Sequence, residues 1–159
     1  MSADYILPTE RYNTPADYIL SFDLAGEEWR RVLHGPSSTG NLTSGQMVRS
    51  ELTLADLKGS LVLAHHPRSL SVMDLWFLLD FESRLWVKQY SIRIESVTSS
   101  LAAGYHLIPL LELDDGRLVI HLAPTGLLFI CDPATNTFTR VNIRHHLDSV
   151  GVYTGSLLS

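Results

Sequence analysis

Seven histidines in 159 residues invite a metal-binding reading, above all the adjacent pairs His65-His66 and His145-His146. Zinc needs several His, Cys or carboxylate donors converging on one point, and helical motifs set two of them one turn apart. Adjacent residues on a strand point to opposite faces, so neither pair makes a site alone. Solvated or strand-end histidines and no metal are therefore expected. Asp114 and Asp115 could serve as paired carboxylates in acid/base chemistry, but they stand directly before Gly116, where turn residues belong. Cys131 closes an apolar run in which a thiol is buried and inert. No G-x-S-x-G elbow occurs, and Gly35 to Gly45 lacks both the Lys-Ser/Thr ending and the following helix pattern of a phosphate loop. Trp29, Trp76 and Trp86 could stack a ligand, although residues of this kind are more often core. These residues predict no catalytic centre and no cofactor, hence a protein that is not an enzyme.

Composition bounds the remaining classes. Twelve Lys+Arg face 17 Asp+Glu, a net charge of −5, and the only local basic excess is Arg30-Arg31. Phosphate neutralisation needs clustered positive charge, so nucleic acid is not the expected partner. A single cysteine excludes an intramolecular disulfide and fits a reducing compartment, the cytoplasm or nucleus. Met1 to Leu20 has no signal-type apolar run, and Leu75 to Leu79 and Leu127 to Cys131 fall far short of the ~20 residues that span a bilayer. With 45% apolar residues the chain can build a core without staples.

The apolar segments are short, rich in Val, Ile, Tyr, Trp and Leu, and punctuated by Gly, Pro, Ser, Asp and Asn, which predicts an all-β chain. Tyr90 to Glu95 alternates apolar with polar, as a half-buried strand does. Asp115-Gly116 predicts a hairpin turn with both central residues at positive φ, pairing Leu110 to Leu113 with Leu118 to Leu122. Gly35 to Gly45 and Ser96 to Gly104 read as loops. Only Leu52 to Lys58 and His145 to Val150 could hold a helical turn.

An internal repeat organises these segments. Tyr18 to Asp23 is followed by Trp29, Leu75 to Asp80 by Trp86, and Leu127 to Asp132 by Phe138, each aromatic standing six residues after its Asp. A second element recurs as Leu57-Lys58-Gly59-Ser60-Leu61-Val62 and Asp115-Gly116-Arg117-Leu118-Val119. A period slightly above ~50 residues with about four strands per unit predicts about three kelch-like, propeller-type blades. The Asp would cap each turn, and Trp29, Trp86 and Phe138 would be equivalent buried residues between blades. A compact β-sandwich or barrel remains the alternative, since about three units cannot close an ordinary ring.

The ordered set Tyr18 to Arg30, Leu57 to Val62, Met73 to Leu78 with Trp86-Val87-Lys88, then Asp115 to Val119, Leu128 to Thr135 and Tyr153 to Leu157 resembles the F-box-associated domain of plant F-box proteins. The likeness covers about residues 18 to 157, which implies one β domain over residues 18 to 159, with residues 1 to 17 as an N-terminal extension. The resemblance implies a substrate-recognition, protein-binding module of a cullin-based ubiquitin ligase, with a protein substrate as partner. Met1 to Asp17, broken by Pro8 and Pro15, is too short for the three-helix F-box that grips the Skp-family adaptor, so a truncated relative without adaptor binding is expected. The family's contact residues lie in variable loops and carry over to no numbered position. A small-ligand or sugar-binding β domain using the tryptophans is the alternative.

Overall fold

A computed structural model of the chain describes residues 18–36, 50–67, 71–99, 104–143 and 150–152. The described residues are all-β apart from single helical turns, in four small antiparallel sheets, none closed. The chain divides into two compact units, Met1–Met47 and Val48–Ser159. In the first, strands β1 (Tyr18–Ile19) and β2 (Phe22–Asp23) fold back on β3 (Glu28–Trp29) and β4 (Leu33–His34) as one interrupted hairpin, β2 pairing with β3 and β1 with β4. Across the break the Arg30 amide donates to the Ser21 carbonyl at 2.9 Å.

The second unit holds two four-stranded meanders. The first runs β5 (Ser50–Leu57), β6 (Ser60–Pro67), β7 (Val72–Asp80) and β8 (Leu85–Arg93) in spatial order. The second runs β9 (His106–Glu112), β10 (Leu118–Ala123), β11 (Leu127–Asp132) and β12 (Thr137–Val141). Between them one helical turn, α1 (Glu95–Thr98), starts at Ile94, whose carbonyl accepts from the Val97 and Thr98 amides and the Thr98 hydroxyl.

Turn chemistry explains the connections. Lys58 and Gly59 both have positive φ, 51° and 77°, and the Gly59 amide donates to Asp56 Oδ1 at 2.8 Å, closing the tight β5–β6 turn. The expectation for Asp115-Gly116 is corrected: only Gly116 is left-handed, at φ 83°. The Gly116 amide returns to the Leu113 carbonyl, and the Leu113 amide donates to the Arg117 carbonyl at 2.7 Å. The loop is thus three residues, a turn followed by one left-handed glycine, and it still pairs Leu118 with Glu112. The three repeated Asp turns share one construction. Asp23, Asp80 and Asp132 each accept at Oδ1 from the amide two residues on, Ala25, Glu82 and Ala134. The fourth turn residue, Glu27, Arg84 or Asn136, is left-handed in every case. Asp, four turn residues, one pairing residue and then the aromatic account for the constant offset of six.

Two segment expectations are corrected. Leu52 to Lys58 is strand for all but its last residue, because its pairing with β6 sets Leu52, Leu54 and Asp56 on one face and Thr53, Ala55 and Leu57 on the other. The short helix falls instead at Glu95, inside what alternation read as the end of a strand and the start of a loop. Of His145 to Val150, where the other helical turn was expected, all but Val150 lies outside the described residues.

One hydrophobic cluster joins the meanders, with Leu57, Val62, Ala64, Met73, Leu75, Phe77 and Ile92 from the first, and Leu107, Leu118, Ile120, Leu122 and Cys131 from the second. Register relates the two sheets residue by residue. Val62↔Phe77, Leu63↔Trp76, Trp76↔Lys88 and Leu78↔Trp86 in the first match Val119↔Ile130, Ile120↔Phe129, Phe129↔Arg140 and Cys131↔Phe138 in the second. In this correspondence the face that the second sheet turns inward is the one that the first sheet turns outward. The sheets therefore stack front to back.

The expectation that Trp29, Trp86 and Phe138 are equally buried is corrected. Trp29 is 70% exposed, whereas Trp86 and Phe138 are half-buried, and only Phe138 packs on the shared cluster. Their positions after the turns are equivalent, but their burial is not. Leu75→Ala in the cluster is expected to cost about 2–5 kcal/mol and Trp29→Ala within about 0.5 kcal/mol in chemical denaturation. Equal losses at both would contradict this ranking.

Candidate recognition surface

The outward face of the first meander carries exposed apolar and polar groups side by side. Leu52 and Leu54 are exposed on β5, next to the buried Leu63 and His65 on β6. Trp76 and Trp86 lie diagonally across β7 and β8, so two of the three tryptophans share this face, while Trp29 belongs to the other compact unit. The Lys88 ammonium stands 5.5 Å from the Trp76 ring centroid and 3.4 Å from Asp74 Oδ2, and the Ser91 hydroxyl donates to Asp74 Oδ1 at 2.7 Å. Cation, ring and carboxylate are thereby matched to one another.

The face ends at an apolar hairpin tip. Leu79, Phe81 and Leu85 are exposed around the β7–β8 turn. Asp80 holds that turn rigid, since its Oδ2 accepts from the Ser83 hydroxyl and its Oδ1 from the Glu82 amide. Those two bonds, the hydroxyl first, hold the Asp80 carboxyl below its ordinary value. Asp23 is lowered in the same way, chiefly by the Arg30 guanidinium and then by the Ala25 amide. Loop tips carried on a rigid sheet are where recognition residues concentrate.

The other candidates have structural places. His65 and His66 are both buried and face opposite sides of β6. His66 Nδ1 lies 3.1 Å from the Val72 carbonyl oxygen, which can only accept, so this nitrogen carries the proton, and its ring stacks on Tyr105. His145 and His146 lie outside the described residues. Asp115 is a turn residue, accepting from the Arg117 amide and guanidinium, and the amide chiefly lowers its carboxyl. Asp114 is exposed beside it. Among the described residues no group of three His, Cys, Asp or Glu side chains could hold a metal ion. Nor, among them, is any helix long and apolar enough to cross a membrane.

Sequence reasoning missed the contacts that join the two sheets, because they link residues far apart in the chain. His106 Nδ1 lies 2.9 Å from Glu51 Oε2, and Lys58 Nζ lies 3.1 Å from Glu112 Oε1. These pairs tie the two ends of β5 to the two ends of β9, which therefore run side by side in the same direction. They belong to separate hydrogen-bonded sheets. Farther out, the Arg93 amide donates to Asn136 Oδ1 at 2.8 Å.

Two chemical outcomes follow. His121 is 4% exposed, its Nε2 has no partner, and burial lowers its pKa from 6.5. A depressed histidine contributes stability that is present above pH 6.5 and lost as the pH falls through the folded value. Wild-type stability is expected to drop below pH 6.5, and His121→Leu to flatten that part of the profile; an unchanged profile would contradict the assignment. Cys131 is fully buried, its thiol pushed up to about 12 first by burial and then by Asp132. It should resist a disulfide-exchange reagent at pH 8 until denaturant is added, and immediate labelling of folded chain would disprove this.

Comparison of the chain with protein-family models, with curated proteins and with solved structures finds no match.

Proposed function

We propose that this chain is a protein-binding module, the substrate-recognition part of an F-box-type, cullin-based ubiquitin ligase or a truncated relative of one, built from kelch-like blades. Front-to-back stacking of two meanders in matching register supports the blade reading, as do β5 and β9 running in one direction along the adjoining edges. The observation that carries the recognition reading is the rigid, apolar β7–β8 tip, where Leu79, Phe81 and Leu85 stay exposed beside the Asp80 cap. Exposed apolar groups clustered on a fixed scaffold fit a protein partner. A sugar-binding reading has less support, because Lys88 already stands over the Trp76 ring on which a sugar would stack.

Proximity labelling in plant cells tests the reading, comparing the wild-type chain with Phe81→Asp/Leu85→Asp. A set of proteins lost with the double variant, whose ubiquitination falls when cullin ligases are inhibited, is the expected result. Identical labelling by both chains, together with a saturable hit on a glycan array, would replace it with the sugar-binding alternative. The isolated 159-residue chain is expected to bind the Skp-family adaptor more weakly than micromolar in calorimetry. Tighter binding would place an adaptor site within this sequence.

A further inference from the structure

The outward face of the first meander differs from its counterpart in the second at one polar corner. In the register that relates the sheets, His65↔Asp74 takes the place of Leu122↔Leu127, and Trp76↔Lys88 that of Phe129↔Arg140. Ring and cation recur in both sheets, whereas the carboxylate stands only in the first. Leu122 is buried in the layer between the sheets and Leu127 packs on it, as a face covered by another sheet requires. A carboxylate at the same position suits a polar occupant instead.

Asp74 is held ready for one. Its Oδ1 accepts from the Ser91 hydroxyl at 2.7 Å, directly across β7 and β8, which fixes the carboxylate. Its Oδ2 lies 3.4 Å from the Lys88 ammonium, longer than the ~2.7–2.9 Å of a charge-assisted bond, and the Lys88 side chain is 44% exposed against 19% for Asp74. The same ammonium stands 5.5 Å from the Trp76 ring centroid. Ring and carboxylate thus form a seat for a cation, with Lys88 as its resident. An exposed lysine leaves such a seat at little cost. A guanidinium fits it better, because it stacks flat on an indole and reaches a carboxylate with paired N–H groups. A sugar brings no charge to replace the ammonium.

We propose that Asp74 and Trp76 receive an arginine side chain of the partner protein, which displaces Lys88. The inference rests on the protein-binding reading and names the chemistry of that partner. The apolar tip belongs to the same hairpin, with Asp80 four strand residues beyond Trp76, roughly 13 Å at ~3.3 Å per residue. The net charge of −5 favours a basic partner. The segment that fits is extended, with an apolar residue against Leu79, Phe81 and Leu85 and an arginine about four residues away.

Fluorescence anisotropy of short labelled peptides, each with one phenylalanine and one arginine at varied spacing, tests this on the full chain. Binding is expected to peak where the two stand about four residues apart. It should weaken about tenfold or more with Asp74→Asn, and vanish when glutamate replaces the arginine. Lys88→Ala empties the seat, so it should tighten binding of arginine peptides about threefold and leave peptides without arginine unchanged. If Asp74→Asn does not fold, Lys88→Ala alone decides. Binding that follows the phenylalanine only, or that is equal in the wild-type and Lys88→Ala chains, overturns the arginine seat and leaves the protein-binding reading standing. No binding of any arginine peptide overturns it as well, and the proximity labelling then decides the wider reading by itself.

Discussion

The layer of side chains between the two meanders is the constraint on which the second unit depends. A four-stranded twisted sheet with apolar residues on both faces cannot be stable alone in water, because one face always remains wet. Leu118, Ile120, Leu122 and Cys131 cover Val62, Ala64, Leu75 and Phe77, and none of these is more than slightly exposed. The polar ties lie at the margins of this layer: Glu51 with His106, Lys58 with Glu112, and Asn136 with the Arg93 amide. Exposed ion pairs contribute little stability, typically below about 1 kcal/mol. Their value here is alignment, since each joins a particular residue of one sheet to a particular residue of the other.

Turn geometry sets the register that this layer needs. A hairpin displaced by one residue would turn its apolar set to the opposite face. Each repeated turn therefore begins with an Asp that captures the amide two residues on and ends with one left-handed residue. Asn136 ends its turn and also ties the sheets together, since asparagine tolerates the left-handed region and its amide oxygen accepts from the Arg93 amide of the other sheet.

The local parts of this fold were legible. Asp23, Asp80 and Asp132 could be read as turn caps because the chemistry of an Asx turn spans only a few residues. The pairing of β9 with β10 followed from Asp115-Gly116, although the turn is one residue longer than the dipeptide implied. Trp29 was misjudged because equivalence in sequence fixes a position in the hairpin, while burial is a tertiary outcome that no local pattern encodes. Leu52 to Lys58 could be read two ways because leucines at those spacings serve a helix or a strand, and only the pairing with β6 decides. The candidate surface was legible in its tryptophans but not in its tip, where exposure of Leu79, Phe81 and Leu85 is a tertiary outcome.

Leu79 also bears on how copies of one unit diverge. It is an extra residue in β7, accommodated as an irregularity between Leu78 and Asp80, and Leu78 still faces Trp86 as Cys131 faces Phe138. Without that irregularity, the added residue would send everything inward of the turn to the wrong side. The bulge acts as a local frame correction, confining an insertion to the rim of the sheet. Repeated segments can then differ by a single residue near their tips and keep the same inward-facing alphabet, so a difference in length stays at the rim and is silent where the sheets stack.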